Sequence, residues 1–265
     1  PAALGTQTAG SVIRPASFCG VVGFKPTFGR LSMEGIHPLA PSLDTLGVFT
    51  RALGDVPLLL RALGLPLDIT PLTRPPRVGL WRTEMWGLAT PATQTTLEEA
   101  ARTLASAGAV VRDAELGADC AGLAEAQATI MAVEAASSLE QERTTHGELL
   151  SPKLRTLLHD GAATPPARTQ AARALADRGR RRAAELFAEL DLLLTPSAPG
   201  EAPPGLESTG DPAFNRIPTL LGLPCLNLPG ATGPQGLPLG LQLVGPAGGD
   251  AALLGAAAWV AQHVS

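Results

Sequence analysis

The chain has 265 residues and a formal net charge of −4, from 20 basic and 24 acidic residues. Hydrophobic residues make up 45% of the sequence and charged residues 17%, a composition that supports a buried core and excludes an intrinsically disordered chain. The acidic balance argues against a nucleic-acid partner, and no apolar run approaches the roughly 20 residues of a membrane span. We therefore expect one large domain over residues 1–265 that does not enter a membrane.

Cysteine and histidine usage indicates neither disulfide bonds nor a metal site. The three cysteines, Cys19, Cys120 and Cys225, are odd in number and far apart, and the four histidines have no ligand spacing. This pattern favours a reducing, cytoplasmic compartment. The chain lacks an initial Met and starts beside a glycine-rich turn, so we expect it to be the C-terminal portion of a domain whose N-terminal part is missing.

The first predicted elements are short. Apolar runs at 18–24 and 46–49 lie between glycines and small residues, a pattern that favours buried strands or turns. At 52–63 the apolar residues recur at intervals of three and four, which predicts a helix ended by Gly64 and Pro66.

The middle of the chain alternates strand and helix signals. Residues 77–81 form a predicted strand, Pro91 opens a helix that ends at Gly108, and a further strand is predicted at 109–111. This order predicts an α/β arrangement with a parallel pair of strands.

Long helices and then strands are predicted in the last half. Residues 121–146 and 166–190 are rich in helix-forming residues and predict two long helices. A strand at 192–194 precedes a Pro- and Gly-rich loop at 197–212. Strands at 225–228 and 239–244 and a closing helix at 250–262 complete the predicted α/β fold.

The segment 5–11, with sequence GTQTAGS, carries the chemistry. Its two glycines have the spacing of a phosphate loop, but the lysine that must follow the second glycine is absent. A serine after small residues instead suits acyl transfer, which needs a hydroxyl nucleophile beside backbone N–H donors. The chain has no Gly-x-Ser-x-Gly motif, and no His lies near this serine in sequence to act as its base. A Ser-Lys scheme therefore remains, with Lys25 the nearest lysine.

Residues 5–30, GTQTAGSVIRPASFCGVVGFKPTFGR, resemble the second half of the signature of the amidase signature family. The segment PSLDTLG at 41–47 is similar to the family's Ser-x-Asp-x-x-Gly element. Further similarity lies in LTPSAP at 194–199, Asn215, LGLP at 221–224 and GLPLGLQLVG at 236–245. The resemblance spans nearly the whole chain and is least diagnostic between residues 70 and 190.

The resemblance implies a mixed sheet flanked by helices and an amidase that hydrolyses carboxamides through a Ser-Ser-Lys triad, with no metal or organic cofactor. Ser11 takes the position of the nucleophile, and the backbone N–H groups of Thr8, Ala9, Gly10 and Ser11 take that of the oxyanion hole. A small-molecule amide is the implied substrate, and a homodimer is an open alternative to a monomer.

Two charged residues take supporting positions by the same analogy. Arg14 and Asp44 are expected to form a buried or half-buried charge pair that braces the serine turn from behind. Gln7 stands where family members often have Asp, which removes one carboxylate partner for Arg14.

The family's lysine and bridging serine lie upstream of the nucleophile, and Lys25 falls in a Gly-x-Lys-Pro-Thr element that does not supply the triad lysine. The chain alone is therefore expected to be inactive. Two alternatives stay open at this stage: the A subunit of a glutamyl-tRNA amidotransferase, and a catalytically inactive truncated remnant.

Overall fold

A computed structural model of the chain describes residues 2–264. Over these residues one mixed sheet of eight strands has the order β1-β3-β2-β7-β8-β6-β4-β5. The strands are β1 (Ala2–Gln7), β2 (Val22–Lys25), β3 (Thr45–Thr50), β4 (Arg77–Leu80), β5 (Val110–Asp113), β6 (Leu192–Pro196), β7 (Cys225–Thr232) and β8 (Pro238–Val244). Strand β4 runs parallel to both β5 and β6, and the remaining pairs are antiparallel. The predicted mixed sheet with a parallel strand pair is confirmed.

Helices cover both faces of this sheet. The helices of the described residues are α1 (Ile13–Cys19), α2 (Val56–Ala62), α3 (Pro91–Ser106), α4 (Leu123–Ser138), α5 (Glu140–Thr145), α6 (Pro152–Ala163), α7 (Pro166–Glu189), α8 (Ala213–Leu220) and α9 (Asp250–Ala261). One apolar core lies between the sheet and α2, α3 and α9, and a second lies between the sheet and α4, α7 and α8. Within residues 2–264, no helix combines the length and the apolar character needed to cross a bilayer.

The structure corrects several predicted boundaries. The single helix predicted at 121–146 is divided into α4 and α5 at Leu139, whose φ of −108° and ψ of 26° depart from helical values. Helix α2 begins only at Val56, after a 3₁₀ turn. Helices α1, α6 and α8 were not predicted. Helices α1 and α8 are only seven and eight residues long and each contains a proline, so helical periodicity is weak there.

The sheet brings two distant segments together at one end of the edge strand β1. Gln7, the last residue of β1, pairs with Thr45, the first residue of β3. The residues that follow β1 therefore lie beside the residues that precede β3. Thr8 and Asp44 become neighbours in this way although 36 positions separate them.

Asp191 fixes the start of the parallel strands β4 and β6, which lie toward the edge of the sheet opposite β1. Its carboxylate accepts hydrogen bonds from the Arg77 backbone N–H at 2.7 Å and from the guanidinium groups of Arg74 at 2.8 Å and Arg77 at 3.0 Å. Burial alone raises the pKa of this carboxyl, but the hydrogen bonds from Arg74 and Arg77 outweigh burial and hold the pKa well below its usual range. The ionised carboxylate thus ties β4 to the start of β6.

Replacing Asp191 by Asn is expected to lower the free energy of unfolding at pH 7 by about 1–3 kcal/mol, since charge-assisted hydrogen bonds are lost. A pKa that is depressed in the folded state contributes stability above the unfolded value of about 4, and this stability is lost as the pH falls through the folded value. The free energies of unfolding of the parent protein and the variant, measured with denaturant, should therefore become equal at low pH. Asp68→Asn, at an ion pair whose carboxylate side chain is 79% exposed, is the matched control and should change stability little. A pH-independent deficit in Asp191→Asn would contradict this account.

Candidate active site

Residues 8–11, called here the 8–11 turn, connect β1 to α1. Thr8, Ala9 and Gly10 are buried, whereas Ser11 is exposed at the surface. The fully buried Gln7 shapes the end of the turn, because its Oε1 accepts hydrogen bonds from the backbone N–H groups of Val12 at 2.9 Å and Ile13 at 3.0 Å. Gln7 therefore satisfies donors at the start of α1, a role in which the neutral amide serves as well as a carboxylate.

The three carbonyl groups of the turn that precede Ser11 all accept hydrogen bonds. The Thr8 carbonyl accepts from Gln127 Nε2 at 2.8 Å, and the Ala9 carbonyl accepts from Thr219 Oγ1 at 2.8 Å. The Gly10 carbonyl accepts from the backbone N–H of Arg14 at 3.0 Å. The turn is thus anchored through its carbonyl oxygens to α4, α8 and α1.

The backbone N–H groups of the turn behave in the opposite way. Within residues 2–264, the N–H groups of residues 8–11 make no hydrogen bond to another residue. Buried backbone N–H groups are almost always paired in folded proteins, so successive unpaired donors beside an exposed hydroxyl form an unusual local environment. The arrangement can bind an oxygen atom that carries negative charge.

Close packing of α8 against the turn requires glycine at position 10. A Cβ atom on Gly10 would lie 2.7 Å from Pro212 Cβ and would also collide with the side chain of Asn215. Asn215 is itself fully buried and donates from Nδ2 to the Ser197 carbonyl at 3.1 Å. Glycine at position 10 therefore lets α8 approach the backbone beside Ser11.

Asp44 supports the turn through Thr8. Thr8 Oγ1 donates to Asp44 Oδ1 at 2.5 Å, and Asp44 Oδ2 accepts from the backbone N–H groups of Leu39 at 2.8 Å and Ala40 at 2.9 Å. With only 5% of its surface exposed, Asp44 is a buried carboxylate whose oxygens are satisfied by local donors.

The predicted charge pair between Arg14 and Asp44 is wrong. Both residues are buried, but the Arg14 guanidinium donates to the Gly210 carbonyl at 3.1 Å and to Thr209 Oγ1 at 3.2 Å. Among the described residues Arg14 has no ion pair within 4 Å, and burial lowers the pKa of its guanidinium. The reason is geometric: Arg14 extends from α1 toward the loop before α8, whereas the donors to Asp44 come from Thr8 and the segment that precedes Asp44.

Neither lysine of the chain contacts Ser11 in the described residues. Lys25 Nζ is completely buried and donates to the carbonyls of Pro26 at 2.9 Å and Leu223 at 2.7 Å, and burial lowers the pKa of this amine. Lys153 Nζ donates to the Glu207 carbonyl at 2.7 Å. Both lysine amines thus donate hydrogen bonds to backbone carbonyls. In the same part of the chain, no group of three or more His, Cys, Asp or Glu side chains is arranged to hold a metal ion.

Sequence reasoning missed the two side chains that hold the turn from outside its own segment, Gln127 and Thr219. Both are buried, and they lie 119 and 210 positions from the backbone groups that they contact. The local signal was that each lies on a largely buried helix that also carries another buried polar residue, Thr129 in α4 and Asn215 in α8, and that signal does not identify a partner.

The chain is similar to known proteins over nearly all of its length. The family model described as Amidase matches residues 1–254. The 2-amino-5-chloromuconic acid deaminase of Comamonas testosteroni is 36% identical, over 96% of this chain and 59% of that protein. The A subunit of the glutamyl-tRNA(Gln) amidotransferase of Thermus thermophilus is 34% identical, over 97% of this chain and 63% of that protein. The chain thus spans about three fifths of the length of these relatives.

Solved structures show the same fold. A crystal structure of an amidase is 32% identical and superposes with a TM-score of 0.92, over 100% of this chain and 63% of the other. The A subunit of the glutamyl-tRNA(Gln) amidotransferase of Thermotoga maritima superposes with a TM-score of 0.79 at 25% identity, over 96% of this chain and 60% of the other.

Proposed function

The chain belongs to the amidase family, and on that premise we propose that it carries the nucleophile and oxyanion hole for hydrolysis of a carboxamide C–N bond. Ser11 is assigned as the nucleophile, and the backbone N–H groups of Thr8, Ala9, Gly10 and Ser11 are assigned as the oxyanion hole. The observation that supports this best is the row of unpaired N–H groups beside the exposed Ser11 hydroxyl.

The proposed reaction has two steps. Ser11 Oγ attacks the amide carbonyl carbon, and the negative charge that develops on the carbonyl oxygen is stabilised by the N–H groups of the 8–11 turn. The base passes the serine proton to the amide nitrogen, the C–N bond breaks, the neutral amine leaves, and an ester to Ser11 remains. Water attacks this ester, which releases the carboxylic acid and restores the serine hydroxyl.

A base is needed to remove the proton from Ser11. In the pattern of the family, a lysine acts through a second serine. Within residues 2–264 no side chain is hydrogen-bonded to the Ser11 hydroxyl, and both lysines donate to backbone carbonyls instead. We therefore assign Arg14 and Asp44 to support of the turn rather than to proton transfer. Their contacts through Gly210, Thr209 and Thr8 hold the backbone around the nucleophile.

A second candidate is the A subunit of a glutamyl-tRNA amidotransferase, favoured by the 34% identity to that protein. Both functions would use the same acyl-enzyme on Ser11 and differ in the fate of the released ammonia. Ammonia release from a simple amide, measured without partner subunits or tRNA, would support the hydrolase. Release only in the presence of such partners would support the amidotransferase.

Covalent labelling tests the nucleophile directly. The complete gene product, treated with a fluorophosphonate, should gain one phosphonyl group on the peptide that contains Ser11, because only an activated serine displaces fluoride rapidly. Ser11→Ala should abolish the label. Ser106→Ala, at another exposed serine without a side-chain hydrogen bond to a described residue, is the matched control and should retain it. A label that persists on the Ser11→Ala protein would refute the assignment.

A further inference from the structure

We propose that Gln127 and Thr219 are positioning residues that orient the oxyanion-hole donors. Each anchors one carbonyl of the 8–11 turn and thereby directs the N–H group of the same peptide unit toward the substrate. This inference rests on the proposed function of the turn, and it assigns a role to two residues that lie outside the turn.

Peptide geometry links each carbonyl of the turn to the N–H group of the next residue. A trans peptide unit is planar, and its C=O and N–H bonds point in opposite directions. A hydrogen bond that fixes the Thr8 carbonyl therefore also fixes the Ala9 N–H, and one that fixes the Ala9 carbonyl fixes the Gly10 N–H. Both carbonyls point into the protein, toward α4 and α8. The two N–H groups must point the other way, and neither has a partner among residues 2–264.

The amide of Gln127 is held at both ends. Its Oε1 accepts a hydrogen bond from Arg216 Nη1 at 3.0 Å, and its Nε2 donates to the Thr8 carbonyl at 2.8 Å. A guanidinium is only a donor and a carbonyl is only an acceptor, so the reversed amide orientation would place like groups against each other. Arg216 thus fixes the orientation in which Gln127 can donate to Thr8.

The direction of the Thr219 hydroxyl proton is likewise fixed by the donor and the acceptor on either side of it. Gln7 Oε1 is occupied by the N–H groups at the start of α1, so Gln7 presents its Nε2 donor to Thr219 Oγ1, at 2.9 Å. Thr219 Oγ1 accepts that bond and directs its own proton to the Ala9 carbonyl at 2.8 Å. The hydroxyl therefore has one available arrangement, which keeps the Ala9 to Gly10 peptide in one orientation.

Both anchors are buried, since Gln127 is 0% and Thr219 is 2% exposed. Water cannot replace a lost donor there without a rearrangement, so removing either donor frees one peptide unit to rotate. A rotated peptide no longer points its N–H at the developing oxyanion, whereas ground-state binding of the amide is less affected. The expected signature is a fall in kcat with little change in KM.

Thr219 is tested by a pair of variants in the complete gene product. Thr219→Val keeps the shape but removes the hydroxyl, and we expect kcat to fall about a hundredfold. Thr219→Ser returns the hydroxyl and should restore most of the activity. The matched control is Thr50→Val, because Thr50 is also 2% exposed and donates to a backbone carbonyl, that of Ala52, at the opposite end of β3. The control should leave kcat unchanged.

Gln127 is tested by Gln127→Glu, which keeps an acceptor for Arg216 but loses the donor to Thr8. We expect kcat to fall about a hundredfold with KM within threefold. The matched control is Gln94→Glu, since Gln94 Nε2 donates to the Trp86 carbonyl away from the 8–11 turn. Binding of a peptide-like aldehyde or boronic acid, which mimics the tetrahedral intermediate, should weaken by a similar factor in Gln127→Glu and not in the control.

Folding is checked by thermal melting of every variant, and Gln127→Glu carries the test alone if Thr219→Val does not fold. The inference is overturned if folded Gln127→Glu or Thr219→Val keeps kcat within twofold of the parent, or if KM rises while kcat stays constant. It is also overturned if Thr219→Ser is as impaired as Thr219→Val. Failure of the proposed function would appear differently, as full activity and labelling in Ser11→Ala.

Discussion

Ser11→Ala is expected to lower the turnover of the complete gene product by about 10⁴- to 10⁶-fold, the range that loss of a serine nucleophile produces in other hydrolases. The substitution removes the atom that would form the acyl bond, while the N–H groups of the 8–11 turn stay in place. Residual activity above the uncatalysed rate is expected from those donors. Hydrolysis of an aryl amide, followed by amine release, measures the effect.

The fold should not change in this variant. Ser11 is exposed, and its hydroxyl makes no hydrogen bond to another described residue, so its removal leaves no buried group unsatisfied. The midpoint of thermal unfolding should therefore match that of the parent protein. Ser106→Ala, at another exposed serine whose hydroxyl makes no hydrogen bond to another described residue, provides the matched control for both measurements. Near-full turnover in Ser11→Ala would show that another group performs the attack.

The sequence was sufficient to predict the layers of the fold, for a physical reason. Leu192 and Leu194 face one core while Leu193 faces the other, so a strand buried on both faces appears in sequence as a continuous apolar run. The regular spacing that predicted a helix at 52–63 likewise follows from one buried helix face. The break at Leu139 between α4 and α5 follows Ser137 and Ser138, which have weaker helix propensity, but the Ala, Glu and Gln residues on either side favour helix and led to the prediction of one helix.

In the candidate site, too, the features formed by one continuous segment could be predicted from the sequence, whereas contacts between distant segments could not. The small-residue turn that ends at Ser11 lies in one continuous segment, and its resemblance to a known signature could be recognised there. Gln127 and Thr219 reach the turn from helices α4 and α8, and their partners are backbone carbonyls, which are identical at every position of a chain. A contact between a side chain and a distant backbone group leaves no pairwise pattern in one sequence.

The error over Arg14 and Asp44 has a related origin. Opposite charges in neighbouring motifs suggested a pair, but a buried carboxylate can be satisfied by neutral donors and a buried guanidinium by neutral acceptors. Asp44 takes the N–H groups of Leu39 and Ala40 and the hydroxyl of Thr8. Leu39 and Ala40 are close to Asp44 in sequence, and the pairing of β1 with β3 places Thr8 beside it. The carboxylate is therefore satisfied without a long charged side chain.

The 265-residue chain by itself is expected to show no amide hydrolysis above background, even when it folds. A serine hydroxyl is a weak nucleophile unless an adjacent base accepts its proton. Lys25 is excluded as that base by its geometry, because its amine lies fully buried and donates to the carbonyls of Pro26 and Leu223. Burial also lowers the pKa of Lys25, yet a lower pKa cannot compensate for the absence of a contact with Ser11.

The test compares amine release by the purified 265-residue chain and its Ser11→Ala variant, with circular dichroism to establish that both are folded. Equal, background rates are expected, because the oxyanion donors alone cannot remove the serine proton. Lys25→Met in the same chain serves as a second comparison and should also leave the rate at background. Turnover by the chain that Ser11→Ala abolishes would show that a base for Ser11 is present within these residues. If Lys25→Met abolished that turnover as well while the protein stayed folded, the buried amine would have to leave its two carbonyl partners during the reaction.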